Sequence, residues 1–282
     1  FKVRGAYYKI SQLREEERSH GIVACSAGNH AQGVALAATK MGIKSVVCMP
    51  DGAPIMKVES TKRLGAEVCL VKGTYDDAHD KAVELQEETG MTFIHPYDDD
   101  AVIAGQGTIG LEILDQLEDV DAVIVPIGGG GLISGVAFAI KSLRPECKVY
   151  GVQAAGAPSM FNAYRDHQWE SLDSVSTFAD GIAVKNPGET TFQMVEKYVD
   201  DVVTVSEDAA RLLSQPNRCA NAFIHLLISQ LDAVFALPQD AAMRRFRFAL
   251  FSVRIRRHRD DAQAYFLFIH GSAPLLFPLQ AE

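Results

Sequence analysis

The chain has 282 residues, a length suited to about two domains. Its 48% hydrophobic and 22% charged residues are ordinary globular usage, which excludes a disordered chain, a collagen-like fibre and a small disulfide scaffold. A formal charge of −9 argues against a general nucleic-acid binder, because phosphate neutralisation needs a surplus of Lys and Arg. The five cysteines, Cys25, Cys48, Cys69, Cys147 and Cys219, are scattered and never in C-x-x-C spacing. They read as reduced cytosolic thiols, with no zinc or other metal site. Phe1-Lys2-Val3-Arg4 leads into no apolar stretch of the kind a signal peptide carries. Two uncharged runs, 122–140 and 264–281, are broken by Gly, Pro or His and read as soluble segments, not membrane spans.

In chain order, β-branched runs at 21–25, 45–49, 67–71, 92–95, 122–126, 148–154 and 201–205 predict strands. Helical patterns fill the gaps at 5–18, 29–40, 54–64, 75–88, 101–116, 132–142, 159–165 and 191–199. Pro54 suits a first helical turn, and Asp76 and Asp77 suit the positive end of a helix dipole. This alternation predicts an α/β fold with open parallel sheets and a boundary near 97–100, giving a smaller unit at 1–97 and a larger one at 98–208.

Composition changes abruptly near residue 208. Residues 1–208 hold 12 Lys, 6 Arg and 31 acids, whereas residues 209–282 hold 9 Arg, no Lys and 5 acids. The second segment carries 8 of the 14 Phe but only one of the 22 Gly, at position 271. Its alternating Phe246/Phe248 and Val253/Ile255 predict a strand with Arg on the other face. A frame-shifted or chimeric tail and a divergent C-terminal module both account for the change.

Among the motifs, Gly128-Gly129-Gly130-Gly131-Leu132 follows an apolar strand and opens a helix. Consecutive backbone N–H groups at a helix N-terminus form a phosphate cradle, although the spacing matches neither a dinucleotide nor a nucleoside-triphosphate motif. The alternative is a turn that is glycine-rich for close packing alone. Ser26-Ala27-Gly28-Asn29-His30 also lies between a strand and a helix, where open α/β sheets place their ligands, and reads equally as a helix cap. Lys2 by composition alone is a surface lysine. Asp98-Asp99-Asp100 reads as a solvated turn capping the next helix, Asp180-Gly181 as a turn, and Asp200-Asp201 as an exposed strand entry.

Taken together and in order, these motifs resemble a known family. Phe1-Lys2-x-Arg4-Gly5-Ala6, Ser26-Ala27-Gly28-Asn29-His30-Ala31-Gln32-Gly33, Met49-Pro50-Asp51-Gly52-Ala53-Pro54, Pro96-Tyr97-Asp98-Asp99, Ala104-Gly105-Gln106-Gly107-Thr108, the 126–132 glycine loop and Ala179-Asp180-Gly181 are similar to threonine dehydratases. These belong with serine dehydratases and serine racemases to the fold-type II (tryptophan synthase β-like) pyridoxal-phosphate enzymes. The resemblance covers about residues 1–208 and implies that both ends of the fold are incomplete. It implies pyridoxal 5'-phosphate as cofactor, with Lys2 as the Schiff-base lysine and proton acceptor. Phe1 and Asn29 would lie beside the cofactor ring, Gly128, Gly129, Gly130, Gly131 and Leu132 at its phosphate, and Gly181 at the same site. Ser26, Ala27, Gly28, Asn29 and His30 would hold the substrate carboxylate.

The implied activity is dehydration and deamination of L-threonine or L-serine to a 2-oxo acid and ammonia, by a cytoplasmic homo-oligomer. The alternatives are an inactive partial domain, a serine racemase or a β-replacing synthase. A racemase would need a serine where Ala27 stands, so elimination is favoured. The family also carries a serine at the pyridine nitrogen within a glycine-rich stretch that residues 209–282 lack. The tail is therefore expected to leave the site incomplete and turnover weak, with Ser272 as its one candidate partner.

Overall fold

The computed structural model describes residues 1–117 and 119–209, together with the backbone of 246–252 and 265–271. The predicted helix at 5–18 is two helices, α1 (Lys2–Ser11) and α2 (Glu15–His20), separated at Gln12-Leu13-Arg14. The break leaves Lys2 inside the first turn of α1 instead of ahead of it. Four parallel strands follow in the order β3-β2-β1-β4: β1 (Ile22–Cys25), β2 (Ser45–Pro50), β3 (Glu67–Val71) and a two-residue β4 (Thr92–Phe93). Their crossovers carry α3 (Asn29–Lys40), α4 (Ile55–Arg63) and α5 (Tyr75–Thr89).

Side-chain alternation explains why β1 is apolar at every position. Ile22 and Ala24 pack with Ala6, Ile10 and Val34 of α1 and α3, whereas Val23 and Cys25 pack with Ala78 and Ala82 of α5. A strand covered on both faces has no polar side, the usual condition of a parallel sheet. Helix α5 starts where its acids suggest, with Thr74 and Asp77 forming a reciprocal cap.

Helix α6 (Asp100–Gln116) leads into the second sheet, ordered β7-β6-β5-β9-β8. Its parallel part is β5 (Val120–Pro126), β6 (Lys148–Ala154) and β7 (Asp201–Val205), with α7 (Gly131–Leu143), α8 (Ser159–Asp166) and α9 (Glu189–Tyr198) between them. The uncharged run at 122–140 thus divides into β5, a loop and α7. Among the described residues no helix is long and apolar enough to cross a membrane. Strands β8 (Phe246–Ser252) and β9 (Tyr265–Gly271) add antiparallel, β9 against β5 and β8 against β9. The strand predicted around Phe246 is present, while its continuation at Val253 and Ile255 lies outside the described residues, as do Cys219 and Ser272.

Asp200 departs from its sequence reading. It pairs with Lys141 at 2.6 Å and Lys148 at 2.9 Å and accepts from the Val149 N–H, so it ties α7 to β6 instead of standing in solvent.

Glycines on α6 determine how the layers meet. A Cβ on Gly105 would lie 2.6 Å from the Gly5 Cα, and one on Gly107 would lie 3.0 Å from the Gly135 carbonyl oxygen. Helix α6 is thereby held close to α1 on one side and to α7 on the other. Gly105→Ala is expected to lower unfolding free energy by about 1–3 kcal/mol, the usual cost of forced overpacking. Gly52→Ala is the control, since no atom stands within 4 Å of its would-be Cβ. Equal denaturant midpoints for the two variants would contradict this account of the layer contact.

Candidate active site

Lys2 lies at the start of α1, where its ammonium donates to the Pro96 carbonyl. Its Nζ stands 5.6 Å from the Phe1 ring centroid and 5.8 Å from that of Tyr97. Although the residue as a whole is half-buried, its ammonium is desolvated, and that lowers its pKa to about 8. The surface-lysine reading is corrected by contacts from residues 94 and 95 positions further along the chain.

Around Lys2 the imidazoles are neutral. Burial first, and then the Lys2 charge, push His30 down to about 3. Its Nε2–H donates to the Ile94 carbonyl at 2.8 Å, leaving a buried Nδ1 lone pair with no hydrogen-bond partner. Burial likewise pushes His95 down to about 4. Its Nδ1 accepts from the N–H groups of Tyr97 (3.3 Å) and Asp98 (2.7 Å), which fixes the remaining ring proton on Nε2.

Tyr97 links this cluster to the glycine loop. Its hydroxyl donates to the Asn186 carbonyl at 3.0 Å, and burial followed by the Asp98 charge raises the phenol to about 12. A Cβ on Gly129 would lie 2.5 Å from the Tyr97 ring, and one on Gly131 would lie 2.7 Å from the Tyr97 carbonyl oxygen. Gly130 has φ +99°, and a Cβ there would meet Thr191 Oγ1 at 2.6 Å and Met160 Cε at 2.7 Å. Gly128 is covered by Ile182 and Val184, the segment that carries Gly181.

Close packing therefore explains the absence of side chains at 129, 130 and 131. It does not explain the N-terminus of α7, which has no side-chain cap and no acidic residue in its first turn. An uncompensated helix N-terminus favours an anion. Leu132, in that first turn, is buried in the core.

Ser26 follows β1 directly, its N–H donating to the Cys48 carbonyl at 3.2 Å and its Oγ accepting from the Gly28 N–H at 3.2 Å. Ser26, Ala27 and Gly28 are half-buried, Asn29 is exposed at the start of α3, and space within 4 Å of the Gly28 Cβ position is open. Gly33, one turn into α3, packs on the backbone of Lys2 and Val3, which brings this loop's helix against the lysine. Tyr97 thus touches both Lys2 and the glycine loop, and Phe1 and His30 lie beside Lys2, while Asn29 is exposed and the Cβ position of Gly181 has no atom within 4 Å.

The acidic triplet is divided in function. Asp99 caps α6 by accepting from Ala101 and Val102, whereas Asp98 reaches α9, accepting from the N–H groups of Glu189 and Thr191 at 3.0 Å each. Thr191, Asp98 and His95 were not marked as site residues by sequence reasoning. The quartet Pro96-Tyr97-Asp98-Asp99 at the junction between the sheets was the available signal for Asp98, and Thr191 has no local one.

These features define a class. Residues 1–214 match the family model for pyridoxal-phosphate dependent enzymes, and the chain belongs to that family, whose cofactor is pyridoxal phosphate. An L-threonine ammonia-lyase of Thermotoga maritima is 56% identical over 208 residues, covering 74% of this chain and 52% of the relative. The catabolic L-threonine dehydratase of Escherichia coli K12 is 50% identical over 211 residues, 75% of this chain and 64% of the relative. Among solved structures, a processed threonine deaminase from Solanum lycopersicum superposes with TM-score 0.72 at 45% identity, covering 74% of this chain and 61% of that one. Maize serine racemase superposes with TM-score 0.71 at 39% identity, covering 74% and 63%. The chain spans about half to two-thirds of the length of these relatives.

The lowered Lys2 pKa has a direct readout. Only the neutral amine attacks an aldehyde, so the rate of reaction with pyridoxal is expected to rise through pH about 8. An unperturbed lysine would titrate near 10.4. A midpoint there would contradict desolvation of the Lys2 amine.

Proposed function

We propose that this chain carries the core of an L-threonine or L-serine ammonia-lyase that works with pyridoxal phosphate. The observation that supports it best is the proximity of a desolvated amine at Lys2 to an uncapped, glycine-lined helix N-terminus at 128–132, bridged by Tyr97. These residues fit the cofactor, an aldehyde at one end and a phosphate at the other. Lys2 would hold the aldehyde carbon, Gly128 to Leu132 the phosphate, and Phe1, Asn29 and Gly181 the flanks of the ring. When bound, pyridoxal phosphate supplies an electron sink for breaking the bonds at the substrate's α and β carbons.

The remaining work falls to this chain's own side chains. Lys2, whose pKa is lowered to about 8, is neutral in part near neutral pH and accepts the α-proton at Nζ. The cationic form is disfavoured by burial, and the imidazoles of His30 and His95 beside it are themselves held neutral. The loop Ser26-Ala27-Gly28-Asn29-His30 orients the substrate carboxylate through Ser26 Oγ, Asn29 and the N–H groups opening α3, so that the α-proton faces Lys2. The units 1–97 and 98–208 then supply the substrate loop and the phosphate loop respectively.

Serine racemase relatives raise a second reading, which Ala27 disfavours. A racemase needs a proton donor on the substrate face opposite Lys2, and a methyl group cannot serve.

Adding pyridoxal phosphate is expected to produce a visible absorbance band that Lys2→Ala abolishes. The chain is expected to release ammonia from L-threonine or L-serine faster than it racemises L-serine, and Ala27→Ser to raise the racemised fraction. An unchanged band in Lys2→Ala, or racemisation outrunning ammonia release in the native chain, would overturn the reading.

A further inference from the structure

We infer that Thr191, set in place by Asp98, is the positioning residue that aims the glycine loop's N–H groups at the cofactor phosphate. The inference rests on the reading of residues 128–132 as a phosphate loop and adds what holds that loop in its binding shape.

Thr191 is buried in the first turn of α9, and its Oγ1 donates to the Gly129 carbonyl at 2.6 Å. The Gly188 N–H donates to the same oxygen at 3.2 Å. In a trans peptide the carbonyl and the following N–H point in opposite directions. Two donors holding the Gly129 oxygen toward α9 therefore turn the Gly130 N–H away from α9. Gly130, at φ +99°, then passes the chain into α7 without a side chain that would collide with Thr191. The peptide plane is thus set before any anion arrives, and a preset donor costs no reorganisation on binding.

Thr191 is itself fixed at both its N–H and its carbonyl. Its N–H donates to Asp98 Oδ1 at 3.0 Å, while Asp98 Oδ2 takes the Glu189 N–H at 3.0 Å. The Ser134 hydroxyl, from inside α7, donates to the Thr191 carbonyl at 3.3 Å. Asp98 is anchored in turn, its N–H donating to His95 Nδ1 at 2.7 Å. Gly188 is glycine because a Cβ there would run into the Asp98 carboxylate. The segment 95–98 therefore contacts Lys2 through Pro96, the loop through Tyr97, and the loop's anchor through Asp98. One short stretch of backbone sets both ends of the cofactor site.

The test compares pyridoxal phosphate with pyridoxal, which has the same aldehyde and no phosphate. Dissociation constants are read from the visible absorbance band in the full chain, for the native protein, Thr191→Val and Thr191→Ser. Thr191→Val removes the hydroxyl at nearly constant volume and leaves the Gly129 carbonyl one donor short. It is expected to weaken pyridoxal phosphate by about tenfold, the scale of one buried hydrogen bond. Pyridoxal binding should be unchanged, and Thr191→Ser should restore the native affinity. Equal affinity of Thr191→Val and native protein for pyridoxal phosphate would overturn the inference. So would an equal loss for both ligands, which would make Thr191 a general structural residue. Should Thr191→Val fail to fold, Asp98→Asn carries the same expectation and the same contrary outcomes. If the native chain itself binds the two ligands alike, the phosphate-loop reading fails, and this inference with it.

Discussion

Helix α6 can lie close to two other helices because it carries no side chain where they cross it. Helices normally pack with axes 8–10 Å apart, a distance set by the side chains at the contact. Gly5 against Gly105, and Gly107 against Gly135, bring backbones together at both crossings. The first turn of α1 holds Lys2, and the glycine loop leads into the first turn of α7. Both are referred to the same central helix, so the distance between the Lys2 amine and the uncapped N-terminus of α7 is set by rigid backbone.

Burial then selects which group in the cluster titrates near neutrality. Lys2, His30 and His95 are all basic and close enough to influence one another. Three adjacent cations in a desolvated cluster would repel strongly, and the two imidazoles resolve this by staying neutral. Of these three, Lys2 is the one left with a pKa near the working range, at about 8. The unpartnered His30 Nδ1 is a polar cost kept inside the cluster, and such costs concentrate where a protein does chemistry.

Much of the fold was legible in the chain because parallel strands buried on both faces leave continuous β-branched runs. Strand β2 is of this kind, and the partly exposed β3, β6 and β7 also stand where their runs predict them. The glycine loop was legible as a tight strand-to-helix turn, although packing on Tyr97, Thr191 and Met160 accounts for three of its four glycines. Lys2 was different. Nothing near it in sequence distinguishes it from a surface lysine, and its burial comes from Pro96 and Tyr97, so only the ordered set of motifs pointed to it. Asp98 and Thr191 illustrate the limit further. An aspartate in an acidic turn and a threonine in a helix carry no local mark of a hydrogen bond spanning 93 positions. The α1–α2 break and the pairing of Asp200 with two lysines likewise depend on neighbours brought together by folding.

The most direct test is to identify the nitrogen that captures the cofactor. The chain is incubated with substoichiometric pyridoxal phosphate, reduced with borohydride, digested, and the modified peptide sequenced by mass spectrometry. The label is expected chiefly on Lys2, because that side-chain amine is desolvated and linked through Tyr97 to the uncapped N-terminus of α7. A label spread over exposed lysines such as Lys40 and Lys185 in proportion to their accessibility would contradict the account.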